Sequence, residues 1–380
     1  MHYRTLGNTG LEVSEIGFGA EWISGMEMDE VRAVAERGRA AGMNLVDCWM
    51  ADPAVRSRLG EVIAPDRDGW IIQGHIGSTW QDGQYVRTRD LAQVRPAFDD
   101  LLERLQTDHV ELGMIHYVDR VDEFREIMDG PFIAYVRELL AAGRIQHIGL
   151  STHNPEVAQA AAECGEIEMI MFSLNPAYDL MPASDDLETL FGDFAEAGER
   201  IDPTREKLYA TCAARGVGLT VMKPYAGGRL LDAEKSPFGS ALTAAQCLHY
   251  CLTRPAVASV LAGIESVAQL EDALRYLDAT PEELDYASVL AAAPAHAYFG
   301  QCIYCGHCQP CTVGINIATV NKYADLALAH DQIPPSVREH YEALDAKAGD
   351  CTGCEACEPN CPFGVPIAQR MEQTAELFGC

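Results

Sequence analysis

The sequence has little positive charge and no long apolar run. Lys and Arg number 28 against 57 Asp and Glu, a formal charge of -29, and a surface of that sign repels phosphate backbones and anionic membranes. Nucleic acid and membrane surfaces are therefore excluded as expected partners. The charge reads as a solvated surface, with a docking patch for a basic redox partner protein as the alternative. No run of about 18 apolar residues offers a membrane span, and "MHYRTLGNTG" has neither the charged start nor the apolar stretch of an export signal. The expectation is a cytoplasmic protein.

Cysteine, by contrast, is plentiful, at 14 residues. Cytosolic thiols are kept reduced, so a disulfide framework is not expected. Cys48, Cys164, Cys212, Cys247, Cys251 and Cys380 are scattered, and most of them read as small buried hydrophobes. The others form two runs, "CIYCGHCQPC" at 302–311 and "CTGCEACEPNCP" at 351–362. Cys351, Cys354, Cys357 and Cys361, followed by Pro362, match C-x2-C-x2-C-x3-C-P, the spacing that wraps thiolates around a 4Fe-4S cube in bacterial ferredoxins. In two-cluster ferredoxins the fourth cysteine ligates the other cluster. By that rule Cys302, Cys305 and Cys308 with Cys361 hold one cluster, and Cys351, Cys354 and Cys357 with Cys311 hold the second. The first run departs from the pattern, with two residues before Cys311 and Thr312 in place of proline. Structural zinc is the alternative for such pairs, but zinc ribbons separate their pairs more widely.

Ahead of the cysteines, short apolar runs alternate with stretches of helical period. Eight candidate strands fall at 15–20, 44–47, 69–76, 110–116, 145–151, 168–174, 217–223 and 257–263. Continuous apolar strands with crossover helices predict an α/β fold, a (β/α)8 TIM barrel, followed by a small helical ferredoxin-like domain binding two 4Fe-4S clusters. The boundaries read as barrel 1–280, linker 281–296 and ferredoxin-like domain 297–380, the last with two helices broken at Pro334 and Pro335. The connection 175–203 is long and follows a strand, so Tyr178, Met181, Phe191 and Phe194 either cover a ligand or pack on the loop itself. Barrel chemistry belongs at the carboxyl ends of strands. There stand Asp47, His75 and His116, three titratable residues on adjacent strands.

With "YRTLGNTGLEVSEIGFGA", "LVDCW", "LLERLQTDHVELGMIH", "GRIQHIGLSTH", "VMKPYAGGRL" and "VLAGIESVAQLEDAL", the chain resembles the aldo/keto reductases, in the branch that carries a C-terminal ferredoxin-like domain. The resemblance implies carbonyl reduction by a nicotinamide with an Asp, Tyr, Lys, His tetrad. Asp47 and His116 fall on the tetrad Asp and His, whereas Asp52 takes the Tyr position and His75 the Lys position. The proton donors expected here are His75 and His116, with Asp47 orienting them; Asp52 would serve only if burial raised its pKa. Tyr117 is expected to point away from the mouth on a regular strand. The resemblance also implies cofactor contacts at Ser151, Asn175, Lys223, Gly227 and Gly228, the glycines otherwise merely shaping a turn. Met171 and Met222 replace the residues that hold the nicotinamide, and Glu265, Glu271 and Asp272 precede the first basic residue, Arg275. A 2'-phosphate needs Lys or Arg there, so NAD(H) remains open as a cofactor and NADPH is disfavoured.

The resulting expectation is an iron-sulfur oxidoreductase, oxygen-sensitive, passing electrons between its clusters and a small-molecule substrate at the mouth. Two alternatives stay open. One is an electron carrier or partner-docking subunit with a degenerate barrel. The other is a mononuclear metal site of Asp47, His75 and His116, since two histidines and a carboxylate suit ferrous iron or zinc.

Overall fold

The computed structural model describes residues 1–185, 194, 197–293, 298, 300–330 and 332–379. Eight parallel strands close a barrel: β1 (Ile16–Gly19), β2 (Leu45–Cys48), β3 (Ile71–Ile76), β4 (Val110–Ile115), β5 (Ile145–Thr152), β6 (Met169–Ser173), β7 (Gly218–Met222) and β8 (Val257–Gly263). Each neighbours the next in sequence, and β8 pairs with β1 to close the ring. All lie within or beside the ranges read from the apolar runs.

Alternate residues of a barrel strand point inward, and here the inward set changes chemistry along the axis. At the amino end Leu45, Leu112 and Met169 form an apolar plug with Leu6 and Val13. The last two come from a hairpin, Tyr3–Thr5 with Glu12–Ser14, that sequence periodicity did not resolve. Gly7 seats it: a Cβ there would lie 2.4 Å from the Gly216 carbonyl oxygen, closer than any side chain allows. Toward the carboxyl end the inward residues become Asp47, Gln73, His75 and His116, all buried. The barrel is therefore sealed by hydrophobes below and polar above, and the polar end faces the mouth.

A second hairpin, Ser78–Gln81 with Gln84–Arg87, rises from the end of β3 before the helix Leu91–Arg104. Its turn carries Asp82 and Gly83 at φ 50° and 79°, the pair of positive φ values that a two-residue turn of the twisted type requires.

The connection after β6 is no lid over its described length. Tyr178, Met181 and Phe194 are buried in the core and none lines the mouth; Phe191 lies outside the described residues. The cause is Asp179, fully buried, whose carboxylate accepts from the hydroxyls of Tyr209 and Tyr250 (2.7 Å). That buried anchor pulls the segment inward. In the tail, Ile317–Leu328 and Pro335–Glu342 are the expected helices, the first capped by Asn316, and Ile367–Phe378 follows Cys361, the last cysteine of the second run. Tail and barrel meet where the Tyr286 hydroxyl donates to the Ile303 carbonyl at 2.9 Å and Lys322 Nζ to that of Thr253 at 3.2 Å.

Candidate active site and cysteine cavities

A cavity of about 1170 Å³ opens at the carboxyl end of the barrel. Asp47, His75, His116, Ser151, Lys223, Gly227 and Gly228 line it; Asp52 and Asn175 do not. Strand register arranges the first three as a staircase. Asp47 is level with Gln73 across β2 and β3, and His75 is level with Met114 across β3 and β4. His75 thus stands one inward layer above Asp47, and His116 one layer above His75.

The side chains follow that staircase as a chain of hydrogen bonds. His75 Nε2 lies 2.9 Å from Asp47 Oδ1, and His75 Nδ1 lies 2.8 Å from His116 Nδ1. His116 Nε2 is 2.7 Å from the hydroxyl of Tyr85, which comes from the second hairpin and also lines the cavity. At the lower end Gln73 Nε2 donates to the same Asp47 oxygen at 2.9 Å. Trp49 holds the upper end, stacked on His116 at 5.8 Å and edge-on to Tyr85 at 5.3 Å. Burial, and then the charges of His75, Arg89 and Arg87, hold the His116 pKa well below the usual histidine value. Burial pushes the Tyr85 phenol up to about 12 against the pull of Arg87, so at neutral pH it keeps its proton and can donate.

Several expectations are corrected. Asp52 is the N-cap of the helix Pro53–Ile63, its carboxylate accepting from the Ala54 amide at 2.7 Å; Pro53 starts the helix beside it and fixes Asp52 outside the mouth. Asn175 is fully buried and builds a turn, donating to the Lys223 carbonyl and accepting from the amides of Ala177 and Tyr178, each at 2.9 Å. Tyr117 lines the cavity, because β4 stops at Ile115 and Tyr117 turns at φ 47°. The trio of Asp47, His75 and His116 does not close on one ion. Both imidazoles spend both nitrogens within the chain, and among the described residues no three His, Cys, Asp or Glu side chains are grouped to hold a single metal.

Lys223 pairs with Glu21 at 3.6 Å across the mouth, and the Ser151 hydroxyl accepts from the Tyr117 amide at 2.8 Å. Gly227 and Gly228 have φ of 66° and 86°, with nothing near a hypothetical Cβ. They are there for the turn rather than for close approach of the chain. The far rim carries Glu265, Asp272, Asp278 and Glu283 with one cation, Arg275, which pairs with Asp272 at 3.4 Å. Glu271 turns away to bind Arg37.

In the tail two small cavities divide the cysteines. One is lined by Cys302, Cys305, Cys308 and Cys361, the other by Cys311, Cys351, Cys354 and Cys357. Each run thus contributes three residues to one cavity and one to the other. Among the described residues no three of these side chains are grouped to hold a single ion. That suits a cube in which every thiolate takes a different iron and does not suit tetrahedral zinc. Asn321 donates to the Cys302 sulfur at 3.5 Å.

The aldo/keto reductase family model matches residues 15–241, and a 4Fe-4S dicluster domain matches residues 298–365. The chain belongs to the aldo/keto reductase family. An uncharacterized oxidoreductase of Bacillus subtilis, YqkF, is 26% identical over 317 residues, 75% of this chain and 94% of its own length. L-galactose dehydrogenase of Arabidopsis thaliana is 25% identical over 302 residues, 71% of this chain and 86% of that one. Among solved structures, the aldo-keto reductase AKR11C1 of Bacillus halodurans in its holo form shares the fold with a TM-score of 0.60, at 24% identity over 78% of this chain and 98% of its own.

Like its relatives, this aldo/keto reductase is an oxidoreductase, here with a 4Fe-4S dicluster domain at its end. Among the described residues no helix is long and apolar enough to cross a membrane. The residue that sequence reasoning missed is Tyr85. Its signal was present: "STWQDGQYVR" has Asp-Gly between two runs of strand-forming residues, the mark of a hairpin at the mouth.

Proposed function

We propose that this aldo/keto reductase is an iron-sulfur oxidoreductase that exchanges electrons between two 4Fe-4S clusters and a small molecule in the barrel mouth. The observation that carries this reading is the hydrogen-bonded chain Asp47–His75–His116 on the floor of a cavity of about 1170 Å³. Ordered imidazoles beneath a ligand-sized cavity are proton-handling equipment, and a degenerate docking barrel would have no use for them.

Cys302, Cys305, Cys308 and Cys361 would hold one cluster, and Cys311, Cys351, Cys354 and Cys357 the other. When bound, such clusters supply single electrons. The chain's own residues do the rest. Asp47 fixes the orientation of His75, His75 that of His116, and the buried methionines Met171 and Met222 keep water from the barrel interior. If a nicotinamide cofactor enters the same mouth, the acidic rim of Glu265, Asp272, Asp278 and Glu283 repels a 2'-phosphate and favours NAD(H).

The test is anaerobic purification with iron and sulfide counts, followed by optical titration with NADH, NADPH and dithionite. About eight irons per chain and bleaching by NADH, with NADPH weaker, is the expected result. Bleaching by dithionite alone would remove the nicotinamide from the reading and direct electron delivery to a partner protein. Fewer than about four irons would overturn the proposal altogether.

A further inference from the structure

The directions of the hydrogen bonds in the mouth are fixed by their lower end. An ionised Asp47 only accepts, so His75 carries a proton on Nε2, which leaves Nδ1 of a neutral His75 as an acceptor. His116 must then place its proton on Nδ1 to donate to His75, and its Nε2 accepts from the Tyr85 hydroxyl. Every tautomer is determined, and the chain runs one way, from Tyr85 inward to Asp47.

One added proton reverses it. With His75 doubly protonated beside Asp47, His75 Nδ1 donates to His116 Nδ1 and His116 Nε2 donates to the Tyr85 oxygen. The Tyr85 hydrogen is then released to the cavity that Tyr85 lines. The charged and titratable groups facing this chain are Arg87 and Arg89 beside Tyr85, Tyr117 and His153 beside His116, and Asp47 at the far end. Two arginines disfavour a second positive charge on His116. The stored proton therefore settles on His75, next to the one carboxylate in the chain.

We propose that Tyr85 is the acid that stands in for the missing tetrad tyrosine, and that His116 and His75 are a two-state proton wire reloading it from the buried His75–Asp47 pair. The proposal rests on reading the mouth as the place where a carbonyl becomes an alcohol. The electron pair and the carbon-bound hydrogen come from a hydride donor in the same mouth. On the proton side, the Tyr85 O–H bond breaks as the substrate oxygen gains its O–H. His116 Nε2–H reprotonates Tyr85, and His75 Nδ1–H reprotonates His116 at Nδ1. His75 ends neutral, still donating from Nε2 to an unchanged Asp47. One proton leaves the pair and one reaches the substrate. The tyrosine thus arrives from a hairpin after β3, whereas the family's position after β2 holds the helix cap Asp52.

The experiment is long-range proton–nitrogen NMR of the holoprotein labelled with 15N-histidine, His75 and His116 being assigned through His75→Gln and His116→Gln. Two coupled states are expected on pH titration: His116 protonated on Nδ1 with His75 on Nε2, and His116 on Nε2 with His75 doubly protonated, exchanging at one midpoint. Tyr85→Phe shifts the His116 Nε2 resonance in the first state while the iron content stays unchanged. Separate midpoints, a His116 imidazolium, or no response to Tyr85→Phe would overturn the wire. In the same samples, reduction of 4-nitrobenzaldehyde by NADH tests the carbonyl reading. No turnover by the unmodified protein counts against that reading and leaves the wire to be judged by its tautomers. With turnover, Tyr85→Phe lowers kcat by about 100-fold or more with KM within about twofold; an undiminished kcat removes Tyr85 as the acid.

Discussion

At the scale of the residue, identical chemistry is put to opposite uses. Asp47 and Asp52 lie close together in sequence, yet one anchors the imidazoles and the other satisfies an orphan amide at the start of a helix. Losing an Asp cap typically costs about 1 kcal/mol. Asp52→Ala should therefore lower the unfolding free energy by about that amount and leave the mouth unaltered, as judged by the histidine resonances. Altered resonances with unchanged stability would give Asp52 a place in the site. His249, packed on the rings of Tyr276 and Tyr286, carries a pH signature of its own. Burial, then the charges of Arg254 and Arg4, lower its pKa from 6.5 to about 4. Between those values the unfolded chain binds the proton and the folded one does not, so stability falls as pH drops through that window and levels off below it. The swing is at most about 3 kcal/mol. His249→Phe should remove it, and the variant's unfolding midpoint should gain on that of the unmodified protein between pH 6.5 and 4. A constant difference over that range would show that another group governs the acid limb.

At the scale of the element, what could be read from sequence was what repeats. Eight apolar runs announced eight strands, because a strand covered on both faces has no polar side to break its pattern. The departures came from single local contacts that periodicity cannot report. Tyr117 faces the cavity because β4 ends before it, Asn175 builds a turn, and the segment after β6 folds inward around one buried carboxylate, Asp179. The staircase from Asp47 to His116 was half legible: the residues stood at strand ends, but their hydrogen bonds depend on the stagger between strands. Tyr85 was legible only through its turn. Gly83 supplies one of two positive φ values in that turn, with open space where a Cβ would sit. Gly83→Val therefore pays a conformational cost of about 1–2 kcal/mol without a clash. The expected result is roughly tenfold faster amide exchange from Thr79 to Val86, with barrel strands unchanged. Equal acceleration throughout β3 and β4 would mean that the hairpin is part of the barrel's folding unit rather than an appendage holding one side chain.

At the scale of the whole molecule, the two cysteine runs are separated by some forty residues of helix and turn, yet each cavity needs both. A cluster assembled from one run alone would leave its cavity a ligand short. The Cys302 cavity is also the one set against the barrel, since Tyr286 reaches the Ile303 carbonyl beside it, whereas Cys354 leaves the other cavity open to solvent. Which cysteine belongs to which cluster can be decided by counting iron in pairs of substitutions. Cys361→Ser alone should cost about four irons. Adding Cys302→Ser should cost no more, because both residues line the same cavity, while adding Cys351→Ser should empty the protein, because that residue lines the other. If the local spacing in "CTGCEACEPNC" governed instead, the outcomes of the two double variants would be exchanged. The tail would then be two independent cluster loops, and the helices between them would no longer need to hold both runs in one register.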